Sequence, residues 1–109
     1  MNYFRFLNKS LSIRFLATKV KSNDRLKIGR FFELQWEKSQ ERYVLLYPEG
    51  MVTFNEVAGD ILKLCDGNNE VSDIKKSLEE QHLYLEGFES FLEEALQKNW
   101  IEIYNSDKQ

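Results

Sequence analysis

Residues 45–67 run LLYPEGMVTFNEVAGDILKLCDG, and the punctuation of this stretch decides the fold. In Tyr47-Pro48-Glu49-Gly50 the proline presets φ at the second turn position. Glycine at the fourth tolerates positive φ, so a type I turn with a bulge is expected between two antiparallel strands. Met51-Val52-Thr53-Phe54 alternates and is rich in β-formers. Asn55 then stands where a helix N-cap is needed, and Val57, Ala58, Ile61, Leu62 and Cys65 recur at three- and four-residue spacing, which makes one buried helical face. Asp66-Gly67 is expected to end that helix, because glycine takes the left-handed conformation without Cβ strain.

Working outward, Phe31 to Trp36 alternates, with Phe32, Leu34 and Trp36 predicted on a buried side and Glu33 and Gln35 on a wet one. A polar loop, residues 38–41, leads into Arg42 to Tyr47, which is apolar on both faces and suits a central strand. Residues 51–54 complete a three-stranded meander as its edge. Downstream, Ser72 with Asp73 predicts a capped second helix carrying Ile74 and Leu78. Phe88, Phe91, Leu92, Ala95 and Leu96 predict a third, with Glu89, Glu93, Glu94 and Lys98 on its solvent side and Asn99 as its left-handed cap. Trp100, Ile101 and Ile103 form a short extended tail. The fold class is therefore α+β, a three-stranded antiparallel sheet followed by three helices.

The 109 residues suit one compact domain that is small for a deep enzyme cleft. The division expected is a basic extension over residues 1–24, a domain over 25–104 and a polar tail over 105–109. A single cysteine excludes an intrachain disulfide framework and a multi-cysteine zinc site, and Cys65 is expected to be a small buried hydrophobe. No apolar run approaches the ~20 residues that span a bilayer, so a cytoplasmic protein with no membrane partner is implied. Residues 1–30 hold eight Lys/Arg against Asp24 alone, a balance of +7, whereas the other 79 residues hold seven against seventeen Asp/Glu, a balance of −10. In the extension, Phe4, Leu7, Leu11 and Phe15 fit a helix, while Leu11, Ile13 and Phe15 equally fit a strand.

The core stretch, together with Leu34-Gln35-Trp36-Glu37, Leu64-Cys65-Asp66-Gly67 and Asn99-Trp100-Ile101, resembles the PqqD family of pyrroloquinoline quinone (PQQ) biosynthesis over roughly residues 25–103. Members of that family resemble winged helix-turn-helix domains and recognise ribosomally made precursor peptides. The resemblance implies a peptide chaperone, without catalytic residues, metal or cofactor, that binds the PQQ precursor and presents it to a radical S-adenosylmethionine enzyme for Glu-Tyr cross-linking. A leader-recognition domain of another modified-peptide pathway is the alternative. In related domains the leader adds beside the third strand and lies against the third helix. That implies backbone pairing by Met51, Val52, Thr53 and Phe54 and side-chain contact by Phe88, Phe91, Leu92 and Ala95. An apolar helical stripe is also the ordinary mark of a core. The extension is longer than family members usually carry, and Asn99 stands where glycine is common.

A winged-helix shape also raises DNA binding. The charges oppose it, because residues 86–99 hold four Glu against Lys98, a poor surface for a polyanion. Catalysis finds no support either: the one histidine, His82, sits at an expected helix end, and no phosphate loop or ligand cluster accompanies it. For the basic extension, a targeting or membrane-surface role is weaker than docking on the acidic body, on a second copy to form a homodimer, or on the modifying enzyme.

Overall fold

The computed structural model describes residues 20–81 and 86–104. The expectations for most of the basic extension, for His82 and for the polar tail lie outside them. Strands β1 (Arg25–Ile28), β2 (Glu33–Glu37), β3 (Arg42–Tyr47) and β4 (Gly50–Thr53) come first, followed by helix α1 (Glu56–Lys63) and strand β5 (Asp66–Glu70). Helix α2 (Val71–Gln81), helix α3 (Phe88–Gln97) and strand β6 (Ile101–Ile103) complete the domain. They make an α+β fold with two three-stranded antiparallel sheets, ordered β2-β3-β4 and β5-β1-β6.

The expected meander is present in continuous register from Glu33↔Leu46 to Glu37↔Arg42 and from Tyr47↔Gly50 to Val44↔Thr53. Its turn differs in one respect: φ is not positive at Gly50, which pairs directly with Tyr47 instead of forming a bulge. One face of the sheet presents Leu34, Leu45 and Val52 to the core, as period-2 alternation requires. Trp36 lies beyond that cover. Half exposed, it meets Tyr43 edge-on at 5.0 Å and lines an open cleft beside Gly59 and Asp60, so the sequence-based assignment to the buried side is corrected.

Helix α1 is built as its sequence dictates. Asn55 Oδ1 accepts the Ala58 N–H at 2.8 Å, and Ala58, Ile61 and Leu62 are buried. Cys65 joins them as a buried hydrophobe; desolvation, with the Asp66 charge adding, pushes its thiol up to about 12. The helix ends at Lys63 with Leu64 as C-cap, earlier than Asp66-Gly67 suggests. Gly67 does have positive φ (+89°), but its place is inside β5, where four residues of that strand span the two-residue step from Lys27 to Arg25. The glycine serves a bulge, not a helix stop.

The second sheet is the feature that sequence patterning did not disclose. β1 joins β5 on one side and β6 on the other, bringing together residues near 26, 68 and 102. Gly29 donates its N–H to the Trp100 carbonyl at 2.8 Å, and the backbone of Asn99 lies where a Cβ at Gly29 would stand. Residues 22 and 24 also belong to this stitching, since the Ser72 and Val71 N–H groups donate to the carbonyls of Ser22 and Asp24. Two otherwise orphaned donors of the α2 first turn are thereby satisfied by chain rather than by a Ser72 cap, and Asp73 instead accepts the Glu70 N–H at 3.1 Å.

Helix α3 closes the core. Asn99, at φ 65°, ends it in a Schellman arrangement: Trp100 N–H donates to Ala95 O at 2.9 Å and Asn99 N–H to Leu96 O at 3.1 Å. Phe54, Phe91 and Trp100 then pack ring to ring with centroids 5.1–6.4 Å apart. This cluster ties the end of β4 to α3 and to the start of β6.

Candidate functional site

A two-residue turn closes on a hydrogen-bonded pair, here Tyr47 and Gly50. Pairing alternates along an antiparallel ladder, so Gly50 and Val52 direct their backbone groups to β3 while Met51 and Thr53 direct theirs outward. Among the described residues no strand lies on that side of β4. The edge therefore offers donors and acceptors to an extended peptide.

Other edges exist, and their chemistry differs. β2 carries Glu33 and Glu37, β5 is bulged at Gly67, and β6 has three residues. Charge, bulges and shortness are the usual guards against strand addition. β4 is Gly-Met-Val-Thr, regular and without charge, with Met51 more than half exposed. It is the least guarded edge of the four.

The nominated side chains separate into two groups. Met51 and Thr53 are exposed and Val52 is half-buried, whereas Phe54 follows the strand and turns into the core. Phe88, Phe91, Leu92 and Ala95 are at most 2% exposed. They show no side-chain surface to a ligand; the α3 stripe is core, as the general rule for such stripes has it. Glu93 and Glu94 of α3, expected on the solvent side, are instead both buried. Helical spacing places both on the polar half of the wheel, so their burial is decided by neighbouring elements and not by the periodicity of α3.

The cleft beside Trp36, about 410 Å³, is walled by Tyr43 and Phe54 and rimmed by Glu56 and Asp60. No group of His, Cys, Asp and Glu among the described residues is placed to hold a metal ion. None of the described helices is long and apolar enough to cross a membrane.

Fold and edge together define a small α+β domain with one unguarded strand at its surface. Comparison with known proteins is specific beyond that. The family model described as Coenzyme PQQ synthesis protein D (PqqD) matches residues 42–101, and the chain belongs to this family. It is 42% identical over 80 residues to the "PqqA binding protein" of Methylococcus capsulatus (strain Bath), covering 70% of this chain and 85% of that one. The protein of the same name from Azotobacter vinelandii is 41% identical over 86 residues (75% and 94% covered). That of Pseudomonas paraeruginosa is 45% identical over 80 residues (70% and 87%). No solved structure gives a significant match.

Proposed function

We propose that this chain binds the PqqA precursor peptide as a strand added to β4 and presents it, in the cytoplasm, to a radical S-adenosylmethionine enzyme for Glu-Tyr cross-linking. The observation that carries the reading is the regular, uncharged free edge of β4 in a chain of the PqqD family, whose relatives are named for binding PqqA. In this reading Met51 and Thr53 supply main-chain bonds and Val52 keeps the strand seated on the core. Phe54, Phe88, Phe91, Leu92 and Ala95 act from beneath, fixing the edge relative to α3 in the manner of a winged helix. Affinity then comes mainly from backbone pairing, and specificity from alternate side chains of the peptide. The chain contributes no catalytic group.

The test is a titration of the isotopically labelled protein with a synthetic PqqA peptide, following backbone amides. Met51 and Thr53 should shift most strongly, with slower hydrogen exchange in the complex. Binding that leaves both amides unperturbed would overturn strand addition at β4.

A further inference from the structure

Trp36 stands apart from the other residues on its side of the sheet. Leu34, Leu45 and Val52 on that side pack into the core, whereas Trp36, which period-2 alternation puts on the same face as Leu34, keeps half its surface in solvent. Its ring meets that of Tyr43 at 5.0 Å and 70°, so the two form adjoining walls and not a stack. Helix α1 supplies the floor at Gly59. A Cβ there would stand 3.2 Å from Cβ and Cδ2 of Tyr43, so glycine lets the helix backbone close on the ring. The cleft of about 410 Å³ lies at the small end of the roughly 300–1,000 Å³ usual for ligand pockets and has room for one side chain.

The charge around it is one-sided. Glu41, Glu56 and Asp60 border the cleft against Arg42 alone. Arg42 pairs with Glu37, and alternation turns both to the face away from Tyr43 and Trp36. Glu41 and Glu56 are exposed, and neither has an ion pair among the described residues. Glu56 also outweighs the partial positive charge, about half a unit, at the start of α1. Aromatic faces bordered by carboxylates attract a cation and repel an anion. A planar guanidinium suits both parts of the cleft, because it stacks on an indole while its edge donates to carboxylates.

We propose that this cleft is a docking site for an arginine side chain presented by a protein partner. Trp36 stands on β2, and β3 lies between it and β4. A partner held here leaves the free edge of β4 open, so the two surfaces can be occupied together. The inference does not depend on which ligand β4 receives.

The probe is acetyl-Gly-Arg-Gly-amide, titrated into the isotopically labelled full-length protein, with the uncharged citrulline tripeptide as its isosteric control. The indole N–H of Trp36 and the amide of Gly59 should shift saturably at arginine-peptide concentrations on the order of millimolar, and should not respond to citrulline. The indole of Trp100, buried in the core, serves as the internal reference. Glu41→Gln together with Glu56→Gln should weaken binding roughly fivefold, and Trp36→Leu should abolish it. All three positions are exposed, and an otherwise unchanged amide spectrum checks that each variant folds. Equal shifts with the citrulline peptide, or unchanged affinity in the double Gln variant, would overturn the cation assignment, and the absence of a saturable shift would overturn the site. Saturating PqqA peptide should leave the arginine titration unchanged. Competition between the two would place the cleft within the precursor-peptide site and overturn a separate partner, an outcome distinct from failure at β4, which is read at the Met51 and Thr53 amides.

Discussion

The two sheets are built on opposite plans. Sheet β2-β3-β4 takes consecutive segments joined by a two-residue turn and a four-residue loop, so every pairing is settled within about twenty residues of sequence. Sheet β5-β1-β6 collects its strands from the beginning, middle and end of the domain, and its middle strand is four residues long. The first sheet can leave an edge open because local turns hold its register. The second encloses the body and depends on contacts made only once α1, α2 and α3 are in place. On the proposed reading, binding and closure fall to different sheets, and that division can be broken experimentally.

Helix α3 serves both sheets, and there the largest effect is expected. Leu92 is fully buried, so Leu92→Ala should cost roughly 2–5 kcal/mol by chemical denaturation, while the folded fraction keeps its affinity for the peptide. Lost affinity with stability nearly intact would return Leu92 to the ligand surface. Next is Gly29→Ala. A Cβ there meets the backbone of Asn99, which cannot yield as a side-chain tip would, so a loss of about 1–3 kcal/mol is expected from overpacking. Hydrogen exchange should rise first in β1 and β6 and leave β2 to β4 protected. Uniform loosening of both sheets would show that they are a single cooperative unit.

How much of this was legible follows the same division. Tyr47-Pro48-Glu49-Gly50, the Asn55 cap and the Asn99 stop act through neighbours a few residues away, and each appears where its chemistry puts it. Strand β5 is Asp-Gly-Asn-Asn-Glu, without a β-branched or aromatic residue, and exists because β1 supplies a partner. No local pattern announces such a strand. Gly67 is left-handed as its sequence suggests but sits in a strand, since positive φ serves a helix stop and a bulge equally well. The candidate site divides likewise. A free edge could be inferred from the order of strands, but the burial of Phe88, Phe91, Glu93 and Glu94 depends on what packs over α3. Trp36 differs for the converse reason: it stands on the edge strand β2 and lines an open cleft beside Gly59 and Asp60 of α1, so it stays half exposed.

A substitution confined to the open edge should separate binding from closure in the other direction. Thr53→Pro deletes an N–H that faces away from β3, and Val52 before it is already extended, as proline requires. Stability should fall by no more than about 1 kcal/mol. Peptide affinity should drop roughly tenfold or more, the weight of one net hydrogen bond. Calorimetric titration measures the second and thermal unfolding the first. Equal affinity would show that the peptide does not use this donor.

The smallest effect belongs to the second sheet and depends on pH. The backbone N–H of Arg30 donates to the Glu102 carboxylate at 2.8 Å and the Arg30 Nε at 3.3 Å, clipping the connection after β1 to β6. The backbone bond is the main cause that holds the Glu102 carboxyl below the usual glutamate range; partial burial opposes it, and the charges of Arg30 and Lys27 reinforce it. With the folded pKa depressed, the unfolded chain binds the proton more readily. The contribution to stability is therefore complete above the ordinary glutamate pKa of ~4.3 and is lost as pH falls through the lower folded value. Arg30 is largely exposed, so the pair is worth no more than about 1 kcal/mol. Glu102→Gln should lower stability by that amount at neutral pH and bring the variant and parent curves together in acid. A gap that persists unchanged at pH below ~3 would assign the loss to the geometry of the β1–β6 connection and not to the charge.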